Sequence, residues 1–328
     1  MIEEIFEKTL IDLELLKKKD RLILGVSGGP DSISMLYLFC ALRKKYKLNI
    51  VCAHFNHSLR KESDEEETFL KQLCDELNIK MISDKKDVNL LFKGDSLEQT
   101  ARNLRLDFFF KCSRETKIKK IALAHHKDDL AETVLMRLIR GAGLRGLRGF
   151  LPKTKFKSLT IIRPMVNLSK QKIVDWLDTN GIHYKIDKTN FEDKFFRNRV
   201  RLKLMPLLKD MNANIIDNLN NLAYNISLDY DFIYNFSYEK FISLKKKEIR
   251  NAIYLDLDKL KELSVSIFSN VIRIAIEELK GDTRRVEAKH MDEIRDLVFN
   301  RPYGSVVDLP CMSAKKEKKT LIIQSLIL

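Results

Sequence analysis

The stretch LILGVSGGPDSISMLYLF, residues 22–39, changes at its centre from one hydrophobic pattern to another. The residues up to Val26 are branched and apolar, which is typical of a buried parallel strand, and beyond the turn apolar residues recur at helical spacing. Gly28 and Gly29 permit a tight turn, and Pro30 suits the first position of a helix. The stretch therefore predicts a strand, a turn and a helix whose free N–H groups form an anion site.

An aspartate, Asp31, stands at this predicted anion site. Its carboxylate favours the helix dipole but would repel a phosphate, and a divalent cation between the two groups removes the conflict. The alternative is that Asp31 and Ser32 only begin the helix. The string SGGPDS, residues 27–32, has neither the lysine of a Walker loop nor the spaced glycines of a dinucleotide-binding loop. It resembles the SGGxDS signature of the PP-loop ATP pyrophosphatases, which cleave ATP between its α- and β-phosphates.

Composition limits the class of protein. With 328 residues, of which 45% are hydrophobic, the chain can bury a large core and divide into two domains. No apolar run reaches the length of a bilayer, and the acidic start MIEEIFEKTL is not a signal peptide, so we expect a cytoplasmic protein. The five cysteines lie singly in the sequence, which predicts reduced thiols and no zinc site.

The positive charge is concentrated in one segment. The chain has 60 basic and 46 acidic residues, for a net charge of +14, yet residues 133–174 contain basic residues and no acidic one. A solvated face is one explanation, but a basic run without counter-charges favours a polyanion partner such as RNA. The basic residues of this run are Arg137, Arg140, Arg145, Arg148, Lys153, Lys155, Lys157, Arg163, Lys170 and Lys172.

Strand-like runs alternate with helical stretches in the first part of the chain. This alternation predicts an α/β fold with a doubly wound, mostly parallel sheet, whose ligands bind beyond the carboxyl ends of the strands. That rule brings SGGPDS, HFNH and HHKDD to one edge. The predicted strands lie at residues 49–55, 79–83, 120–126 and 158–165, besides the one that ends at Val26.

The second part of the chain has a different composition. No glycine occurs between Ile182 and Lys280, and no proline between Leu207 and Arg301. We therefore expect a smaller, mainly helical domain that ends in short strands. The predicted domains are 1–212 and 213–328.

Carboxylates and histidines follow two of the predicted strands. Asp129 begins a helix on the ligand edge, where it could complete a magnesium site with Asp31, although acidic residues are favoured in any first helical turn. His54 and His57 stand at a strand end, where each either contacts a ligand or closes a loop.

Two arginine-bearing segments remain open to more than one interpretation. Glu98 and Arg105 lie in a predicted helix, where ion pairing within the helix competes with stabilisation of a bound nucleotide. In the segment 184–208, the basic run before Pro206 has three arginines, Arg197, Arg199 and Arg201, and one lysine, Lys203. This excess of arginine favours recognition of carboxylate or phosphate over a merely basic amphipathic helix.

Five motifs in order make the resemblance specific. The sequence resembles the tRNA(Ile)-lysidine synthetases, a family of PP-loop enzymes, over about its first 210 residues. The family fold is that of the adenine nucleotide alpha-hydrolases, and the remaining residues are similar in placement to its C-terminal tRNA-binding domain. The motifs are SGGPDS, HFNHSLR, LEQTARNLR, AHHKDDLAETVLMRLIRG and DKTNFEDKFFRNRVR.

The resemblance implies a reaction with ATP, Mg²⁺, free L-lysine and an isoleucine tRNA that has a CAU anticodon. The wobble cytidine would be adenylated and then attacked by lysine, giving lysidine and changing codon reading from AUG to AUA. Asp31 and Asp129 would hold the metal, and Asp129 and Glu132 would bind lysine. Asp31, Asp129 and Glu132, with Arg105 and Arg197, would be the catalytic residues, and Asp129 or Glu132 would receive the amine proton.

The resemblance also assigns binding residues. The residues predicted to bind ATP are Ser27, Gly28, Gly29, Pro30, Asp31, Ser32 and His54. The residues predicted to bind tRNA are Arg145, Arg148, Arg199 and Arg201. Two alternatives stay open, namely a PP-loop enzyme that thiolates tRNA and a tRNA-binding protein without activity, and the sequence leaves a homodimer open.

Overall fold

The chain forms two compact units, Met1–Asn225 and Ile226–Leu328. The computed structural model describes residues 1–56, 63–86, 97–185, 195–249 and 251–326. The predictions for His57, for the side chain of Glu98 and for residues 187–194 lie outside the described residues. Among the described residues, no helix is both long and apolar enough to cross a bilayer.

The first unit is built around one sheet. Its strands are β1 Arg21–Gly25, β2 Asn49–Asn56, β3 Lys80–Lys85, β4 Lys120–Leu123, β5 Lys153–Phe156 and β6 Leu159–Ile162. The described strands have the order β3-β2-β1-β4-β6-β5, and every pairing except β5 with β6 is parallel.

The helices of this unit cover both faces of the sheet. They are α1 Ile2–Asp12, α2 Pro30–Tyr46, α3 Ser63–Glu76, α4 Leu97–Thr116, α5 Lys127–Ile139, α6 Leu144–Leu147, α7 Lys170–Thr179, α8 Phe196–Arg199, α9 Met205–Met211 and the beginning of α10 Ile215–Leu244, and a π-helical turn, Val200–Leu204, joins α8 to α9. Successive residues of β1 point to opposite faces. Accordingly Leu22 and Leu24 pack in one core cluster, whereas Ile23 packs with Phe108 and Phe109 of α4 in another.

The predicted doubly wound fold is confirmed by this arrangement. Strands β4 and β6 fall within predicted apolar runs, and β1, β2 and β3 overlap theirs but extend beyond them by one or two residues. The sequence did not predict β5, because KTKF is short and polar and pairs only at the edge of the sheet. Because β1, β2 and β4 run in parallel, their carboxyl ends bring the PP-loop (residues 27–32), His54 and the start of α5 to the same edge.

The division between the units falls within α10, at Asn225, and not near Asn212, where the composition changes. The physical reason is packing. Leu219 and Ala223 from the first turns of α10 lie in one buried cluster with Val134 and Leu135 of α5. The beginning of the long helix therefore belongs to the first unit.

The second unit combines helices with an antiparallel sheet. Its strands are β7 Lys245–Ile249, β8 Ala252–Asp256, β9 Val306–Leu309, β10 Met312–Lys316 and β11 Thr320–Ser325, and its further helices are α11 Leu257–Lys261, α12 Val265–Lys280 and α13 Ala288–Phe299. The described strands follow the order β7-β8-β11-β10-β9. The sequence predicted strands at the end of the chain but not β7, β8 or β10. A sequence such as KKKEI in β7 lacks the apolar residues that indicate a strand.

Candidate active site

The PP-loop is held by hydrogen bonds within itself. The Ser27 N–H donates to Ser32 Oγ over 3.0 Å, and the Ser32 hydroxyl donates to the Gly29 carbonyl oxygen over 3.0 Å. Gly28 has a φ of 89°, a left-handed conformation that a residue with a Cβ adopts only under strain. Pro30 follows as the first residue of α2. The turn predicted from the sequence is therefore present, and the N-terminus of a 17-residue helix opens onto it.

Asp31, the second residue of α2, makes contacts with two distant parts of the chain. Its Oδ1 lies 2.6 Å from Lys170 Nζ and 3.6 Å from His126 Nε2. Burial raises the pKa of Asp31, but the neighbouring His126 and Lys170 lower it by more, so that the pKa falls to about 2. The carboxylate is therefore ionised at neutral pH and already faces cations.

His126 caps α5 and lies among three carboxylates. Its Nε2 is 3.4 Å from Asp129 Oδ2 and 3.6 Å from Asp31 Oδ1, and its Nδ1 is 3.6 Å from Asp128 Oδ2. Burial lowers the pKa of His126, but Asp129, Asp128 and Asp31 raise it to about 10. The His126 ring thus occupies the position between the two carboxylates that the sequence assigned to a metal ion.

Asp129, Glu132, Arg197 and Arg201 form what we call the carboxylate-arginine cluster. Arg197 donates from Nη2 to Asp129 Oδ1 over 2.7 Å and from Nε to Glu132 Oε2 over 2.9 Å. Arg201 donates to both oxygens of Glu132, over 2.6 and 3.0 Å. Both carboxylates are buried, and Glu132 is only 3% exposed. Because these bonds are charged and bidentate, they fix the position of Glu132.

The helical periods explain why these four side chains meet. Asp129 and Glu132 are three residues apart on α5, and Arg197 and Arg201 are four residues apart across α8 and the π-helical turn. Both spacings keep a pair on one helix face. The contact between the two helical segments was not visible in the sequence, which assigned Arg201 to tRNA. In the structure Arg201 contacts Glu132 and Asp129, and a role in tRNA binding stays a prediction.

His125 is a site residue that the sequence reasoning missed. Its ring lies 5.1 Å from that of Phe150, and its Nδ1 is buried with no hydrogen-bond partner among the described residues. Burial lowers the pKa of His125 to about 3. The negative charge of Asp129 opposes this shift, and the positive charges of Arg163, Arg197 and Arg105 add to it. The sequence assigned no role to His125. Its position directly after β4, on the predicted ligand edge, was the available signal.

His54 also lies where the nucleotide is expected. Its Nδ1 is 2.9 Å from the Val26 carbonyl oxygen, which can only accept, so that nitrogen carries the proton. Burial lowers the pKa of His54, and the ring is therefore neutral at pH 7. Its Nε2 is then a hydrogen-bond acceptor, and it is buried without a partner among the described residues.

The basic run of residues 133–174 divides into structural and exposed members. Arg137 donates to the carbonyl oxygens of Gly146 and Gly149 over 2.7 and 2.6 Å, and buried Arg163 donates to that of Leu151 over 2.6 Å. These two arginines therefore fix the segment around α6. Arg145 in that segment is exposed, as is Arg199 in α8, whereas Arg148 is half-buried.

The donor chemistry around the PP-loop fits magnesium. Asp31 and Asp129 offer hard carboxylate oxygens within 3.6 Å of one shared position, that of His126 Nε2. Mg²⁺ is commonly bound by one or two carboxylates together with substrate phosphates. Among the described residues, no group of three or more His, Cys, Asp or Glu side chains could hold a metal ion. The remaining ligands would come from the substrate and water.

Comparisons with known proteins identify relatives along most of the chain. Residues 2–208 match the family model described as a PP-loop domain. A tRNA(Ile)-lysidine synthase from Clostridioides difficile (strain 630) is 33% identical, over 97% of this chain and 70% of its own length. Another from Clostridium tetani (strain Massachusetts / E88) is 36% identical, over 94% of this chain and 65% of its own length. The chain thus spans about two thirds of the length of these relatives.

A solved structure agrees with the fold. The U34-tRNA thiolase NcsA from Methanococcus maripaludis, solved with its [4Fe-4S] cluster, superposes with a TM-score of 0.57 and 20% identity. The superposition covers 69% of this chain and 78% of that one. At this identity the likeness concerns the fold alone.

Proposed function

We propose that this chain, which belongs to the tRNA(Ile)-lysidine synthase family of PP-loop proteins, joins free lysine to C2 of the wobble cytidine in the CAU anticodon of an isoleucine tRNA. The reaction uses ATP and yields AMP, pyrophosphate and lysidine, which changes codon reading from AUG to AUA. One observation carries the proposal. Asp31 of the PP-loop and Asp129 of α5 both face His126 Nε2, so that the anion site and the carboxylate-arginine cluster adjoin.

The first step activates a poor leaving group. The C2 carbonyl oxygen of cytidine attacks the α-phosphorus of ATP, the bond from that phosphorus to the bridging oxygen breaks, and pyrophosphate leaves with the electron pair. The PP-loop binds the pyrophosphate end through its N–H groups and hydroxyls. Arg105 and Arg197 supply positive charge near the reacting phosphate.

The second step forms the new C–N bond. The ε-amino group of lysine attacks C2, the C2–O bond breaks, and AMP leaves with the oxygen. Free lysine has a pKa near ~10.4, so its ammonium must lose a proton before it attacks. Asp129 and Glu132 bind the amine, and either Asp129 or Glu132 receives that proton. Arg197 and Arg201 already neutralise both carboxylates, which means that lysine must share or displace these partners.

Asp31 and Asp129 would hold Mg²⁺ together with ATP. The metal would neutralise charge on the phosphates, a contribution of several kcal/mol in comparable sites. For the metal to bind, the side chains of His126 and Lys170 would have to move away from Asp31.

The tRNA is bound through its backbone by Arg145, Arg148 and Arg199, with the second unit acting as a further tRNA-binding domain. Replacing Arg145 and Arg148 by Ala should weaken tRNA binding and reduce the slope of log Kd against log salt by about 0.7 to 0.9 per lost phosphate contact. An unchanged slope would show that these arginines belong only to a solvated face.

Omission of single substrates tests the whole proposal. Pyrophosphate release and lysidine formation are measured with ATP, lysine and the CAU-anticodon tRNA, and each is left out in turn. We expect release to require both ATP and tRNA, and lysidine to require all three. A thiolating enzyme would form no lysidine, and an inactive binding protein would release no pyrophosphate.

A further inference from the structure

The PP-loop contains no lysine of its own, yet a lysine from a distant segment reaches it. Lys170 is the first residue of α7, 139 positions after Asp31. Its Nζ donates to Asp31 Oδ1 over 2.6 Å. A Walker loop carries within its own sequence a lysine that contacts the β- and γ-phosphates, and SGGPDS has no such residue.

The backbone of Lys170 is fixed by the same segment that forms the acidic side of the site. The Lys170 N–H donates to Asp128 Oδ2 over 2.8 Å, and the Lys127 N–H donates to the Leu168 carbonyl oxygen over 3.0 Å. Ser169 caps α7. Two hydrogen bonds to the start of α5 thus fix the backbone of Lys170, and the ion pair with Asp31 positions its Nζ.

The side chain of Lys170 is also partly accessible to solvent. Its side chain is 39% exposed, and that of Asp31 is 30% exposed. Exposed ion pairs contribute little to stability, so stabilisation of the fold does not by itself explain the contact between Lys170 and Asp31. A lysine side chain is flexible and carries three donors. It can therefore turn from Asp31 to an anion at the N-terminus of α2 without movement of the backbone.

We propose that Lys170 binds the β- and γ-phosphates of ATP and the pyrophosphate formed from them. This inference rests on the proposed function, because it takes ATP to be the nucleotide at the PP-loop. When the bond between the α-phosphorus and the bridging oxygen breaks, the electron pair leaves on pyrophosphate, and the ammonium of Lys170 neutralises part of that charge. Without ATP, the same ammonium neutralises Asp31. The spatial role of a Walker lysine is thus filled from another element of the fold.

Direct binding of inorganic pyrophosphate to the full chain tests this role. The affinity is measured by titration calorimetry, with and without Mg²⁺, for the parent, Lys170→Met, Lys170→Arg and Lys172→Met. Lys172 is the matched control, because it is exposed in the first turn of the same helix. We expect Lys170→Met to weaken binding tenfold to hundredfold, roughly the effect of losing a charged hydrogen bond. Lys170→Arg should keep most of the affinity, and Lys172→Met all of it.

Kinetics and unfolding distinguish the other outcomes. Lys170→Met should raise the KM for ATP and leave the KM for lysine unchanged. Equal pyrophosphate affinity of folded Lys170→Met and Lys172→Met would overturn the proposal, and a lowered Tm with that result would make Lys170 only a structural contact of Asp31. If the parent binds pyrophosphate through Lys170 but forms no lysidine, the proposed function fails and the anion site stands.

Discussion

The PP-loop and the carboxylate-arginine cluster are neighbouring parts of one site, but they are built in different ways. In the PP-loop, the hydrogen bonds of Ser27, Ser32 and Gly29 join residues at most five positions apart. In the cluster, the bonds between Glu132 and the arginines join residues 65 and 69 positions apart. The first region is determined by its local sequence, and the second exists only when distant helices pack together.

This difference predicts how each region responds to substitution. A change in the PP-loop alters a few short-range bonds around an accessible site, so chemistry should suffer more than folding. A change in the cluster removes the partner of a buried charge, which costs stability as well as activity. Four substitution experiments test this contrast, and they follow in order of expected effect.

Asp31→Asn should have the largest effect on the reaction. Asp31 would hold a metal ion that neutralises charge on the phosphates. Loss of this carboxylate should therefore slow adenylation at least about hundredfold. Because Asp31 is partly exposed, the fold should remain intact. Pyrophosphate release and thermal unfolding measure the two effects. Near-normal release by a folded variant would contradict the metal role.

Glu132→Gln and Asp129→Asn should separate the two chemical steps. With Glu132→Gln, we expect adenylated tRNA to form but to convert slowly to lysidine, with a raised lysine requirement, because the ionic hold on the amine is lost. Asp129→Asn should block formation of the adenylate itself. Labelled ATP traps the intermediate in both variants. Failure of Glu132→Gln to accumulate adenylate, or a normal turnover of lysine, would exclude Glu132 from the second step.

Arg201→Gln, compared with Arg199→Gln, tests whether the cluster carries stability. Arg201 holds both oxygens of a buried carboxylate, so its loss should lower the free energy of unfolding by roughly 2 kcal/mol, after allowance for its partial exposure. Arg199 is exposed, and its replacement should change stability by no more than about 0.5 kcal/mol. Denaturant unfolding measures both, with tRNA affinity recorded in parallel. If the two variants are equally stable and lose tRNA affinity equally, both arginines act in tRNA binding and Arg201 does not stabilise the cluster.

Ser32→Ala should have the smallest effect. It should lower the free energy of unfolding by about 1 kcal/mol, because it removes hydrogen bonds to the neighbouring backbone. Ser34→Ala is the control. Its hydroxyl is buried on the same helix without a hydrogen-bond partner in the described part of the chain, and its removal should be nearly neutral. ATP affinity should fall severalfold only for Ser32→Ala. Equal effects of the two changes would mean that the serine bonds do not shape the PP-loop.

The sequence by itself determined the PP-loop, the parallel sheet and the edge at which its motifs meet. These features follow from short-range physics, namely the conformational freedom of Gly28, the fixed geometry of Pro30 and the alternation of apolar runs with helices. It also predicted roles for Asp31, Asp129 and Glu132, because the carboxylates stand in motifs at that edge. The sequence did not predict β7, β8 or β10 of the second unit, since charged strands such as β7 are recognised only through their pairing partners.

Only the tertiary structure decided what each charged side chain faces. Lys170 contacts Asp31, Arg201 binds Glu132, and His126 lies near Asp31, although nothing in the sequence spacing pairs these residues. The physical reason is that a charge on a helix end can pair with any segment that packing brings within a few ångströms. Packing depends on the burial of apolar faces along the whole chain, whereas a turn depends on the few residues that form it.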